Sequence, residues 1–77
     1  MNHANLIKMA NQIGAFFDAM PDHEQAVKDV AKHILATWEP RMIRSLQQRI
    51  ETEGDAGLSL IVREAFAAHL RRPNEVS

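Results

Sequence analysis

Histidines are the residues of this sequence best suited to acid–base or metal chemistry, and there are four: His3, His23, His33 and His69. Ligands that share one helix face stand three or four residues apart, and no pair here has that spacing. A zinc or iron site built from scattered histidines is therefore only a minor alternative. His33 is predicted on the rim of the second helix, and His69 inside the apolar arc of the fourth, donating to carbonyls at its end.

Other catalytic groups are also poorly placed. The three serines lie outside any strained turn that would present a nucleophile. The three glycines do not form a phosphate-binding loop, and no two carboxylates have a sequence reason to share a proton. Cysteine is absent, which excludes disulfides, thiolate metal sites and iron–sulfur ligation by this chain. We therefore expect no catalytic, cofactor-binding or metal-binding residues, and no enzyme activity.

Length and charge narrow the function further. A chain of 77 residues makes one domain, and a domain this small often needs a disulfide, a metal or a partner for stability. The net charge of −1 attracts neither nucleic acid nor anionic lipid. The longest apolar stretch, residues 58–62 with Ser59 inside it, is far shorter than the roughly 20 residues that span a bilayer. Residues 1–8 lack the features of a secretion leader. We predict a cytoplasmic protein that binds another protein, and not nucleic acid or a membrane.

Four predicted helices must position these side chains. Helix breakers at Pro21, Pro40, residues 54–57 and Pro73 divide the chain into segments of helical length. The predicted helices lie near 4–19, 23–38, 41–53 and 60–71, with a frayed tail at 73–77. No segment shows the two-residue alternation of a strand. The fold class is therefore all-α, a compact bundle of four short helices in a single domain over residues 1–77.

Each segment carries apolar residues at helical spacing, and these predict the faces that pack together. Asp22, with Gln25 three residues later, is a candidate N-cap for the second helix, and Ser59 is one for the fourth. The predicted apolar faces are Leu6, Met9, Ala10, Ile13, Phe16, Phe17 and Met20; Val27, Val30, Ala31, Ile34, Leu35 and Trp38; Met42, Ile43, Leu46 and Ile50; and Leu58, Ile61, Val62, Ala65 and Phe66.

The junction between the second and third helices is the first candidate contact surface. Trp38 either continues the core of its own helix or projects outward as an anchor. Pro40 suits the first position of a helix. Arg41 and Arg44 then place positive charge near the helix start, where it opposes the helix dipole by about 0.3–1 kcal/mol each. Glu39 offers a local offset, and an acidic patch on a partner is the alternative that we favour testing.

A second apolar concentration lies in the first helix. Phe16, Phe17, Met9 and Met20 have the spacing of core residues. Four short helices rarely enclose every large side chain, however, and methionine-rich surfaces adapt well to partners. Leu60 points away from the apolar face of the fourth helix. The choice between core and contact surface stays open at this level.

Several blocks of the sequence resemble one known family. They are Met9, Ala10, Asn11, Gln12 and Ile13; Phe16 and Phe17; His33; Trp38, Glu39, Pro40, Arg41 and Met42; Gly57, Leu58 and Ser59; and Ile61, Val62, Arg63, Glu64 and Ala65. Together they are similar to the small delta subunit of NAD-dependent, molybdenum-containing formate dehydrogenases. Thr37 stands where that family commonly has an aromatic residue, and Ile43 where it commonly has a basic one.

The resemblance implies a non-catalytic accessory subunit in a cytoplasmic complex. A large catalytic subunit would carry molybdopterin guanine dinucleotide and iron–sulfur clusters, and other subunits would pass electrons through FMN to NAD. The small subunit would dock on the large one and support its assembly, cofactor maturation or stability. The interface residues that the resemblance marks are Asn11, Phe16, Phe17, His33, Trp38, Pro40, Arg41 and Met42, to which the charge argument adds Arg44.

Two other functions fit the same residues. A small helix-turn-helix-like nucleic-acid-binding protein would use Arg41, Arg44, Gln48 and Arg49 on the third helix, although the net negative charge argues against it. A maturation chaperone would use the same docking surface and then leave. Stoichiometry in the purified complex separates a resident subunit from a chaperone.

Overall fold

Four α-helices make up most of residues 3–70, the part of the chain that the computed structural model describes. They are α1 (His3–Phe17), α2 (His23–Thr37), α3 (Pro40–Glu53) and α4 (Leu60–His69). Residues 3–70 contain no strand, which confirms the prediction of an all-α bundle of four short helices. No helix in this range is long and apolar enough to cross a membrane. The predicted frayed tail at 73–77 lies outside the described residues.

The helix boundaries follow the predicted breakers closely. α1 ends two residues early because the chain turns at once, with the Met20 N–H donating to the Phe17 carbonyl at 3.0 Å. Asp22 caps α2 as predicted, accepting the Gln25 N–H at 3.2 Å, whereas the Gln25 side chain donates to Asp29. Ser59 occupies the N-cap position of α4, but its hydroxyl makes no capping bond.

The core lies between all four helices, and the α2–α4 contact is the most extensive. Two predicted core positions are wrong. Leu35 is 58% exposed. The face of α2 that packs against the other helices includes Ala26 and Ile34, and Leu35 lies beyond the edge of that face. His69 is also exposed, because Leu70 turns back into the core where α4 ends. The buried residues are Leu6, Ala10, Ala26, Val27, Val30, Ala31, Ile34, Trp38, Ile43, Leu46, Leu58, Ile61, Val62, Ala65, Phe66 and Leu70.

The fully buried face of α1 consists mainly of small residues, and its other large apolar side chains are partly buried or exposed. Leu6, Ala10 and Gly14 form its fully covered face, whereas Phe16 is 74% exposed. A Cβ at Gly14 would lie 2.7 Å from Cγ2 of Val62 and 2.9 Å from Cγ2 of Ile61, well inside van der Waals contact. Glycine at this position therefore allows α1 and α4 to approach closely. The choice left open for the large residues of α1 has a divided answer, because Met9 and Phe17 are partly buried against the core whereas Phe16 is exposed.

Candidate functional site

An open groove of about 440 Å³ runs between α1, the C-terminal half of α2 and the start of α3. Its lining is mainly apolar and aromatic, as in most protein sites that bind apolar side chains. Five of the nine predicted interface residues line it. The lining residues are Met9, Gln12, Ile13, Phe16, Phe17, His33, Thr37, Trp38 and Met42.

Aromatic side chains form one wall of this groove. The Phe16 and Phe17 rings are perpendicular, with centroids 5.0 Å apart, and Phe17 makes an edge contact with His33 at 5.9 Å. Phe17 is partly buried against the core, so Phe16 alone projects into solvent. Covering a side chain of this size is worth roughly 1.5–3 kcal/mol. Phe16 is therefore the side chain with most to gain from a partner.

Trp38 belongs to the core and also lines the groove. The residue is 6% exposed. Its backbone N–H donates to the Ile34 carbonyl at 2.8 Å, and this bond ends α2. Of the two alternatives for this residue, core packing describes the free protein. Met42, in the first turn of α3, is partly buried against the core and also lines the groove. Trp38 is thus a buried residue of the groove lining, and Phe16 is an exposed one.

Pro40, Arg41 and Arg44 are exposed at the start of α3. Glu39 precedes the helix but makes no side-chain capping bond, and its carboxylate lies 4.0 Å from the Arg41 guanidinium. Both of these side chains are more than 70% exposed, so solvent screens the pair and it adds little stability. Arg44 has no ionic partner within residues 3–70. The start of α3 is therefore a positive surface next to the groove residue Met42.

Asn11 is placed away from the groove, on the other side of α1. Its side-chain amide donates to the Gly57 carbonyl at 2.8 Å, and its carbonyl oxygen accepts the Ser59 N–H at 2.9 Å. These two bonds fix the α3–α4 loop against α1. The geometry gives Asn11 a role in the fold, distinct from that of the groove residues.

The four histidines are dispersed over the surface. His3 is 3.0 Å from the Ser45 hydroxyl, His23 is 2.7 Å from the Glu64 carboxylate, and His33 packs on Phe17. The His23–Glu64 pair lies in a second groove, between α2 and α4, that also contains Lys28. Residues 3–70 hold no group of three or more histidines and carboxylates arranged to bind a metal.

The arginines of α3 are not all free to contact a ligand. Arg49 donates to the Gly54 carbonyl at 2.6 Å, so it closes the end of its own helix. The nucleic-acid alternative requires Arg49 to face outward with Arg41, Arg44 and Gln48. Of the three arginines that this alternative needs, Arg49 is therefore hydrogen-bonded to its own helix end, and Arg41 and Arg44 remain for contact with a nucleic acid.

Three residues of the groove, Gln12, Ile13 and Thr37, were not predicted to lie at a contact surface, and Met9 was left open between core and contact surface. A signal for Gln12 and Ile13 was present, because they share one helix face with Met9 and Phe16. Ile13 was assigned to the apolar face of α1 without a contact role. The sequence alone does not show that the neighbouring helices stop short of covering this face.

The family comparison covers most of the chain. A family model described as the NADH-dependent formate dehydrogenase delta subunit FdsD matches residues 5–66. No curated protein and no solved structure matches the chain. The matched range includes all of α1, α2 and α3 except the first two residues of α1, and therefore the whole groove.

Proposed function

The chain belongs to the NADH-dependent formate dehydrogenase delta subunit family FdsD, and from this membership we propose that it is a non-catalytic accessory subunit. In this proposal it acts in a cytoplasmic complex and docks on the large, molybdenum-containing subunit. Docking supports the assembly, cofactor maturation or stability of that subunit.

The observation that carries the proposal is the groove between α1, α2 and α3. It gathers five residues of the family-like blocks, Phe16, Phe17, His33, Trp38 and Met42, around one apolar surface that residues 3–70 leave open. Contiguous exposed apolar surface on a small protein commonly marks a site of protein–protein contact. Aromatic residues and arginines dominate the energetics of such contacts.

In this proposal the redox groups belong to other subunits. Molybdopterin guanine dinucleotide, iron–sulfur clusters, FMN and NAD would all be bound by the partners, and this chain has no cysteine with which to hold a cluster. The contribution of this chain would be the free energy of its binding to the large subunit. A protein that binds only the folded or cofactor-loaded form of the large subunit raises the population of that form by mass action.

Co-purification tests the docking step. A tagged copy of the chain is isolated under gentle salt from cells that express the complex, and the large subunit is quantified beside it. We expect the large subunit at one copy per copy of this chain in the active complex. Recovery only with inactive, cofactor-free large subunit would instead indicate a transient chaperone, and recovery of no large subunit would contradict the proposal.

Deletion of the gene separates the three supporting roles. A loss of cofactor maturation lowers the molybdenum content of the large subunit, whereas a loss of stability lowers its thermal midpoint at normal molybdenum content. A loss of assembly leaves formate oxidation by an artificial dye intact and abolishes NAD reduction. Normal values for all three measurements would contradict the proposed role.

The nucleic-acid alternative has a direct test. A gel shift with duplex DNA at low salt maximises the phosphate contacts that Arg41 and Arg44 would make. We expect no retardation of the DNA. Retardation that Arg41→Glu removes would support the alternative instead.

A further inference from the structure

We infer that the groove between α1, α2 and α3 receives an amphipathic helix of the large subunit, whose apolar side chains cover Phe16 and whose carboxylate pairs with Arg41. This inference rests on the proposed function, because it names the surface and the chemistry by which the two subunits would meet.

The shape and lining of the groove favour a helical occupant. Its walls are helices, and Met9, Ile13 and Phe16 recur along one of them at three- and four-residue steps. An amphipathic helix presents apolar side chains at the same spacing, so that side chains of the two helices can interdigitate. Recognition by addition of a β-strand needs a free sheet edge, and residues 3–70 form no sheet.

The charge around the groove favours an acidic occupant. None of the nine lining residues is acidic, and the only titratable one is His33. Arg41 and Arg44 are exposed beside the lining residue Met42, and the carboxylate of Glu39 reaches Arg41 only at 4.0 Å across exposed surface. A partner carboxylate at this position would be complementary in charge and would gain strength as the apolar contact excludes water.

The same charges argue against a second copy of the chain as the occupant. A two-fold dimer through the groove would bring the same surface of both copies together. Each copy would then add Arg41, Arg44 and one carboxylate, that of Glu39, to a lining without any carboxylate, so that both surfaces would be net positive. The charge distribution therefore favours a different chain.

Matched variants of the full chain test the inference by titration against purified large subunit. Phe16→Ser is expected to weaken binding about 30-fold, as for a buried aromatic hot spot. Arg41→Glu is expected to weaken it about tenfold at low salt, and less at high salt because salt screens the charge. Leu60→Ser and Arg63→Glu change exposed residues on α4, away from the groove, and are expected to alter binding by less than about twofold.

A photocrosslinker at position 16 identifies the occupant. Benzoylphenylalanine replaces Phe16 in the reconstituted complex, and the crosslinked peptide is read by mass spectrometry. We expect a helical segment of the large subunit that carries an aspartate or glutamate. A crosslink to a second copy of the chain, or to a segment without an acidic residue, overturns the inference.

The two levels of the proposal fail in different ways. If the unmodified chain does not bind the large subunit, the proposed function is wrong. If it binds but Phe16→Ser and Arg41→Glu bind equally well, docking stands and the groove is not its site. Circular dichroism of each variant checks that the helices are retained, since both substitutions are at exposed positions.

Discussion

The two apolar faces of α1 are covered to very different extents. One face, Leu6, Ala10 and Gly14, is fully buried and lies close enough to α4 that a side chain at Gly14 would overlap Val62. The adjacent face, Met9, Ile13 and Phe16, lines the open groove. The buried face consists largely of small residues, and the open face consists of large ones.

This difference separates the residues that maintain the fold from those available to a partner. Small residues allow close helix packing, and their burial adds stability through contacts of the neighbouring helix. On the open face, Phe16 contributes little to the free protein because it is 74% exposed, and it retains most of its apolar surface for a later contact, whereas Met9 and Ile13 are partly buried against the core. Measurements of stability and of binding should therefore respond to different faces of α1.

The largest expected effect is on the buried face. Leu6 is 1% exposed, and Leu6→Ala should lower the free energy of unfolding by about 3 kcal/mol, since it leaves a cavity in the core. Met9→Ala on the groove face should cost only about 1 kcal/mol because Met9 is partly exposed already. Urea denaturation followed by helical circular dichroism measures both. Equal losses would show that the two faces do not differ in the way described.

Asn11 should give the next largest effect. Asn11→Ala removes both hydrogen bonds to the α3–α4 loop and leaves the Ser59 N–H without its acceptor, at a cost of about 1.5 kcal/mol. Gln12→Ala, at an exposed neighbouring position, is the control and should change stability by less than about 0.5 kcal/mol. Partner affinity of the folded fraction should stay constant in Asn11→Ala. A selective loss of affinity would instead make Asn11 part of the interface.

Gly14→Ala tests how tightly α1 and α4 pack. Crowding against Val62 and Ile61 should cost about 2 kcal/mol, and the higher helix propensity of alanine should return about 1 kcal/mol. The expected result is a net loss of about 1 kcal/mol in thermal or urea denaturation. Ala15→Gly on the exposed side measures the propensity term alone. If Gly14→Ala stabilises the protein, the helices have room to separate.

Much of the fold could be predicted from the sequence because its signals are local. Pro40 begins α3 and Gly54 ends it for reasons that do not depend on the rest of the molecule. The predicted buried faces of α2, α3 and α4 also agree largely with the structure. Leu35 was assigned wrongly because helical spacing gives a broad arc, and only the positions of the other helices decide where the arc ends.

The candidate site could be predicted only in part, for a related reason. The family-like blocks include Phe16, Phe17 and His33 of the groove, but they also include Asn11 and Trp38, which hold the fold together. A sequence motif marks both roles alike. Separating them requires knowing which neighbour covers each side chain, and that is a property of the packed bundle.

The smallest effect on stability is expected for Phe16, the most exposed residue on the open face of α1. Phe16→Ser should change the free energy of unfolding by less than about 0.5 kcal/mol, because the side chain has little contact to lose in the free chain. Saturation with the large subunit separates the variant from the parent. At a concentration 100 times the dissociation constant, binding adds about 2.7 kcal/mol, and a 30-fold weaker variant gains only about 0.9 kcal/mol. Hydrogen exchange of the bound chain measures this difference, and equal protection of the two proteins would assign Phe16 no role in docking.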